Sequence, residues 1–359
     1  MKKTILHIIS DLTRGGAEVM LVRVLKELTE YNNIVVTLGT KDHFGKELVC
    51  DEFYCMNTGS MSKLPLAVMR LRKFMKSRKI DLVHSHLFSA TVTARLATPS
   101  SIPIITTIHT NVSNREYNKW YMKAIERFSY KKHRSTIIGV SPGVLDQYFS
   151  FFDHKPYKKY LLYTFVDIQE TAKAIPAETE TDRNTMFRLV AIGALRYPKN
   201  QQYLIRAFEK LRGRNFELHI YGTGIQKNEL EQLIAQTGAN VLLKGEVKNA
   251  SRLLNQYDLY VMPSEFEGFS LSILEAMAME IPMLVSDIPS FREQCADTAV
   301  FFDLEDTGDF IRKLEELATD KEKRKQLAVS AKKRVLGNFT LEHHMAGLRK
   351  IYTDTLNNG

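Results

Sequence analysis

The chain has 359 residues, too many for one ordinary domain, and its 44% hydrophobic content with a mean hydropathy of −0.22 describes a globular chain with ample core. No run of about eighteen apolar residues is present, which argues against a membrane span, and a net charge of +9 calls for an anionic partner or surface. Cys50, Cys55 and Cys295 follow no metal-ligand spacing and suggest no disulfide framework, so a reducing cytoplasmic compartment is expected.

The opening MKKTILHIIS begins with two lysines, but His7 and Asp11 interrupt a segment too short for a signal-peptide core, and residues 5–9 read as a first buried strand. A helix over 17–30, a strand over 34–38, a basic helix ending at Lys79, strands over 82–84 and 104–109, a second basic helix within 119–134 and a strand over 137–140 follow. Such alternation predicts a parallel sheet with helices on both faces. Residues 167–186 are polar, acid-rich and poor in large apolar side chains, as a linker would be. A second alternation then begins at Arg188, with strands near 189–192, 217–221, 241–244, 259–262 and 283–286, and predicts a second, smaller doubly wound sheet. From about Phe339 the pattern is helical to the end.

Charge is uneven along this plan. Residues 1–168 hold 25 Lys and Arg against 14 Asp and Glu, while the rest holds 25 against 27. The excess concentrates in 69–79 (MRLRKFMKSRK) and 119–134 (KWYMKAIERFSYKKHR), where cations alternate with Leu, Phe, Trp, Tyr and Met at helical spacing. Each stretch read singly is a helix with one core face and one solvated face. Together they suit an anionic membrane surface, and no helix-turn-helix, zinc finger or RNA-binding aromatic signature points to nucleic acid. His84, His86, His343 and His344 lack nearby cysteines or an H-E-x-x-H spacing and read as surface or strand-end residues, so no metal is expected.

The most informative stretch is 263–293, PSEFEGFSLSILEAMAMEIPMLVSDIPSFRE. A strand runs into Glu267 and Gly268, where a sharp turn is expected, and the apolar spacing of Leu271, Ile273, Leu274, Met277 and Ala278 predicts a helix starting near Ser270 or Leu271. The amides of Gly268, Phe269, Ser270 and Leu271 then stand at a helix N-terminus, suited to phosphate oxygens, and Glu275 could reach vicinal hydroxyls. The plainer alternative is structural: Ser272 and Glu275 match a capping box, and Glu267 could be a solvated loop residue. Gly15 and Gly16 between the first strand and helix, Arg196 and Lys199 after the 189–192 strand, and His109 at the end of the 104–109 strand also fall at carboxyl ends of strands, where α/β sheets bind ligands. Asp303, Asp306 and Asp309 lie close to a helix start and suggest capping.

The E-G-F-x-L-x-x-L-E-A-M-A run, with GGAE (15–18), DLVHSH (81–86), TTIHTN (106–111), GVS (139–141), GALRYPKN (193–200), YGTG (221–224) and the helix around Tyr352, resembles the retaining nucleotide-sugar glycosyltransferases of family 4 over nearly the whole chain. The resemblance implies an α/β GT-B fold, two Rossmann-like doubly wound domains facing a central cleft. It implies an acceptor domain over 1–168, with 339–359 packing back on it, and a donor domain over 169–338. It also implies an enzyme that moves a hexose from a nucleotide-diphosphate sugar to a glycan or lipid-diphosphate-linked acceptor; the cysteine usage and basic stretches then predict a cytoplasmic protein peripheral on the inner face of the membrane, and with no D-x-D after a donor-site strand no cofactor or metal is expected. In that reading Lys199 and Arg196 clamp the diphosphate, Glu267 and His109 act on the sugar, Glu275 holds the ribose, and Gly15 and Gly16 approach phosphate or acceptor. Ala194 stands where the family has its arginine. Tyr163, Thr164 and Phe165 replace an Asn-Gly turn, and Ile288, Pro289, Ser290 and Phe291 replace a glycine-rich loop. A two-Rossmann-domain nucleotide-sugar epimerase and a non-catalytic membrane-associated scaffold are the alternatives.

Overall fold

The computed structural model describes residues 2–110, 120–171 and 186–357. The chain divides into two compact units, residues 1–164 with 342–359, and residues 165–341. Most of the 167–186 segment lies outside the described residues, as does part of the second basic stretch.

The first unit holds β1 (Thr4–Ile9), β2 (Asn32–Thr37), β3 (Glu52–Cys55), β4 (Leu82–His86), β5 (Ile104–Ile108), β6 (Thr136–Gly139) and β7 (Lys158–Leu161). They form one parallel sheet in the order β3-β2-β1-β4-β5-β6-β7. Its central strands are buried on both sides, as a sheet covered on both faces requires, with His7, His84, Ser85 and His86 among the buried residues. The second unit holds β8 (Phe187–Ile192), β9 (Phe216–Tyr221), β10 (Val241–Gly245), β11 (Leu259–Met262), β12 (Met283–Ser286) and β13 (Val300–Phe302), also parallel, in the order β10-β9-β8-β11-β12-β13. Both sheets are doubly wound. Strand order reverses between β1 and β4 in one and between β8 and β11 in the other, and each reversal opens a crevice at the carboxyl ends of those two strands.

The sequence does not announce β3, β7 or β13. EFYC and KKYL are half-exposed edge strands without an apolar run, and VFF is three residues long. The sequence does not announce the helix Phe88–Ala97 either, because it is buried nearly all round, by Arg95 and Thr93 as well as by Ala90, Val92 and Ala94, and so shows no apolar stripe. The helix Pro142–Phe152 starts at Ser141, which caps it by accepting from the Val144 amide at 3.2 Å.

Of the two basic helices, Leu64–Lys76 buries Ala67, Leu71, Phe74 and Met75 and leaves Leu66 and Met69 exposed beside Arg70, Arg72, Lys73 and Lys76. Trp120–Lys132 buries Glu126, Ser129 and Tyr130 and exposes Trp120 and Phe128. Glu126 faces inward because Arg95, fully buried, donates to it at 2.5 Å, to Tyr148 Oη at 3.1 Å and to Ser135 Oγ at 3.0 Å. Burial opposes ionisation of Glu126, and the Arg95 guanidinium overcomes it, holding the carboxyl at about 2.

The helix Leu341–Asn357 packs within the first unit through Tyr352, whose hydroxyl meets His84 Nδ1 at 2.7 Å, and through Arg349, which donates to Glu30 at 2.7 Å. His344 on this helix is buried and meets the Tyr163 carbonyl at 2.7 Å, and His84 and His86 are buried in β4, so a surface position is corrected for all three, while His86 stands at the strand end as expected. Among the described residues no helix is long and apolar enough to cross a membrane.

Candidate active site

The crevice between β8 and β11 collects the second unit's predicted residues. After β8 the chain passes Gly193 into a short 3-10 turn, Tyr197–Lys199, and the Lys199 side chain lies over Gly193. After β11 it runs through Ser264 and Glu265 to Glu267. Lys199 Nζ and Glu267 Oε1 meet at 2.5 Å, and Ser264 Oγ donates to the same carboxylate oxygen at 3.0 Å. The Glu265 amide donates to the Pro198 carbonyl at 3.0 Å, so the two loops are strapped together beside the ion pair. Glu267 is therefore not a solvated loop residue. Arg196, on the same loop, is exposed, and its carbonyl accepts from the Lys199 amide at 3.0 Å.

The next helix, Leu271–Ala278, starts at Ser270 as its N-cap. Ser272 accepts from the buried Tyr260 hydroxyl at 2.9 Å, and the N-cap is two residues earlier, so the capping-box alternative does not hold. The chain bends at Gly268 as expected, without a positive φ, and the residue is buried between Glu267 and a Phe269 ring that meets Phe339 edge-on at 5.1 Å. Fully buried Gln294 takes both backbone groups of Ser270, accepting from its amide at 3.0 Å and donating to its carbonyl at 2.7 Å. Glu275 sits in the helix's second turn, half-buried. The Tyr260 hydroxyl is pushed well above its ordinary range by burial first and then by Glu275 and Glu267, which puts both carboxylates within electrostatic reach of one ring.

In the first unit, Gly15 is the N-cap of the helix Gly16–Glu27, with φ −85°. A Cβ there would fall 2.5 Å from the Glu18 carboxylate, which also accepts from Thr13 Oγ1 at 3.0 Å. This helix start already holds an acid. His109 follows β5, and its Nε2 lies 3.1 Å from Nδ1 of His86, the last residue of β4. His109 also lines a small cavity of about 50 Å³ with Leu87, Phe88, Thr91 and Tyr148. Burial, with a smaller contribution from His344, pulls its imidazole down to about 3, so it stays neutral.

The model for Glycosyltransferase Family 4 matches residues 14–170, and that for Glycosyl transferases group 1 matches residues 177–334. The chain is a glycosyltransferase of the GT-B fold, related to family 4. It is 26% identical over 301 residues to an uncharacterized glycosyltransferase of Methanocaldococcus jannaschii, covering 79% of this chain and 75% of that one. It is also 26% identical over 234 residues to the Campylobacter jejuni N-acetylgalactosamine-N,N'-diacetylbacillosaminyl-diphospho-undecaprenol 4-alpha-N-acetylgalactosaminyltransferase, covering 63% and 62%. Anabaena HepE, solved in complex with UDP and glucose, superposes with a TM-score of 0.83 at 17% identity over 97% of this chain and 99% of that one. A Rickettsia africae glycosyltransferase gives 0.80 at 18% identity over the full length of both.

In this glycosyltransferase two of the residues that depart from the family pattern serve the core, while Ala194 and Pro289 are exposed. Phe165 and Phe291 are fully buried, and the Val166 amide donates to the Phe339 carbonyl at 2.9 Å. Asp306 caps the helix Thr307–Thr319 by accepting from the Gly308 amide at 2.8 Å. His7, His84 and His86 each place a ring nitrogen within 4.8 Å of the others, yet both nitrogens of His84 are engaged, by Tyr352 at 2.7 Å and Thr107 at 2.8 Å. A metal there would have to displace one of those bonds. His86 lies in the DLVHSH run, Ser264 in the 263–293 stretch and Gln294 just beyond it, but what each does in the site rests on a contact that folding makes.

Proposed function

We propose that this protein transfers a hexose from a nucleoside diphosphate sugar to a glycan acceptor with retention of configuration. The observation that carries the reading is the Lys199–Glu267 contact at the β8–β11 crevice: a fixed cation beside a fixed carboxylate suits a diphosphate and the hydroxyls of the sugar it bears. Lys199, assisted by Arg196, is assigned to the diphosphate, where it stabilises charge growing on the leaving phosphate. Glu267 and His109 are assigned to the transferred sugar and Glu275 to the ribose diol. The first amides of the Leu271–Ala278 helix, with Gly268 and Phe269, serve the phosphate oxygens. Ser270 is given a shaping role, because Gln294 holds its amide. Gly15 and Gly16 are assigned to the acceptor side, since the Glu18 carboxylate beside them favours hydroxyls over phosphate.

The bond from the anomeric carbon to the acceptor oxygen forms on the face from which the phosphate departs, and the acceptor's proton passes to a phosphate oxygen. Lys199 and Arg196 supply the positive charge, so the reading needs no metal. HepE, solved with UDP and glucose, makes UDP the first nucleotide to test. The Campylobacter relative's diphospho-undecaprenol substrate name supports a lipid-diphosphate-linked acceptor of polysaccharide assembly. Exposed Leu66, Met69, Trp120 and Phe128 among cations support a peripheral position on the cytoplasmic face of a membrane.

The test is thermal stabilisation by UDP, UDP-sugars and GDP-sugars. A bound nucleotide at a hundred times its Kd should stabilise the chain by about 2.7 kcal/mol, and Lys199→Ala should lose most of that shift. A Lys199→Ala protein stabilised as fully as the unaltered one would overturn the assignment.

A further inference from the structure

We infer that His86 is a positioning residue that holds His109 as its Nδ1–H tautomer, so that His109 presents a hydrogen-bond donor and not a base. Its bearing on the sugar rests on the function proposed above; the tautomer itself does not.

The two rings meet through His86 Nδ1 and His109 Nε2 at 3.1 Å. Burial pulls both imidazoles below the ordinary histidine range, so both are neutral and one proton lies between them. The direction of that hydrogen bond is decided at the far side of His86. Its Nε2 is buried and meets no hydrogen-bonding group among the described residues. A proton there would make a buried, orphaned N–H, which folded proteins almost never tolerate, whereas a bare lone pair is less costly. His86 therefore carries its proton on Nδ1 and donates to His109 Nε2, which leaves the His109 proton on Nδ1.

The neighbouring His7 makes the same choice by an independent route. Asn33 donates its amide to the Leu28 carbonyl at 2.8 Å, which turns its Oδ1 toward His7 Nε2 at 3.2 Å as an acceptor. His7 Nε2 is then the donor, and its Nδ1 is the buried nitrogen without a partner. A water donating to the bare His86 nitrogen, or a cation bound to it, would hold His86 in the same form. His84, 4.2 Å from His86 ring to ring, does not compete, because Tyr352 and Thr107 occupy its nitrogens.

With Nε2 taken, His109 has only an N–H to offer a ligand. It can donate to a sugar oxygen but cannot remove the acceptor's proton.

Two-bond proton–nitrogen correlation on the ¹⁵N-histidine-labelled full chain reads this directly. His109 and His86 should both show the Nδ1–H pattern; an Nε2–H pattern at His109 would overturn the inference. His86→Asn places a carboxamide N–H near the original Nδ1. It should keep the His109 tautomer and kcat within about threefold, whereas His86→Ala should mix the tautomers and lower kcat about tenfold with donor KM within about twofold. Equal kcat in the two variants sinks the positioning role. Correct tautomers in a protein that transfers no sugar would support this inference while counting against the transferase reading.

Discussion

Lys199 and Glu267 meet with only 12% and 14% of their side chains exposed, so neither is free to drift, and a diphosphate arriving at Lys199 competes with the carboxylate already there. This gives an unusual sign to Glu267→Gln. Removing the competing charge should leave UDP binding equal or tighter, while transfer falls by about a hundredfold or more because the sugar loses its charged partner. Calorimetry alongside turnover checks it, and weaker UDP binding with preserved turnover would refute the assigned division of labour. The Glu267, Glu275 and Lys199 residue types are legible in the sequence, because a carboxylate or cation beside a strand end is a local pattern. Ser264's grip on Glu267, Gln294's hold on Ser270 and His86's contact with His109 are not, since the last two join residues 24 and 23 positions apart.

The loop that carries Lys199 is shaped by its neighbour. Gly222, at φ +144°, and Gly224 lie so close to it that a Cβ on either would sit 2.0 Å from the Gly193 carbonyl oxygen or 2.2 Å from that of Leu195. The Leu195 amide donates to the Thr223 carbonyl at 2.9 Å, and the Gln226 amide returns to Leu195 at 3.1 Å. Backbone cannot yield as a side-chain tip can, so Gly224→Ala should push the 193–199 loop outward. The expected cost is about 1–3 kcal/mol of stability together with weaker UDP stabilisation. A melting temperature and UDP response unchanged from the parent would show the loop to be slack. YGTG was readable as a motif, but its reason was not, for the motif works by closeness to a loop some 28 residues earlier in the chain. The helix Trp120–Lys132 teaches the converse: its sequence reads as a cationic amphipath, while Glu126 in its midst is buried by an arginine from a helix that periodicity did not show.

Across the molecule, the first unit stores neutral histidines. Burial is the leading cause in each case, bringing His7 and His344 down to about 4 and His109 to about 3, and holding His84 and His86 well below 6.5. Between these values and 6.5 the unfolded chain binds more protons than the folded one, so stability rises with pH through that window and is complete above it. Each unit of difference amounts to about 1.4 kcal/mol. The urea midpoint of the first unit's transition should therefore fall steadily from pH 7 to pH 5, and a flat profile would show that these imidazoles protonate in place. By itself the sequence determined two parallel α/β units, the position of the central strands and the helix after Glu267, because apolar periodicity and glycine punctuation are set by neighbours in the chain. The tertiary structure alone decided the edge strands β3, β7 and β13, which are too polar or too short to announce themselves. It also decided which loops are strapped together and which histidine nitrogens find partners, because hydrogen bonds and burial depend on groups that only folding brings within 3 Å.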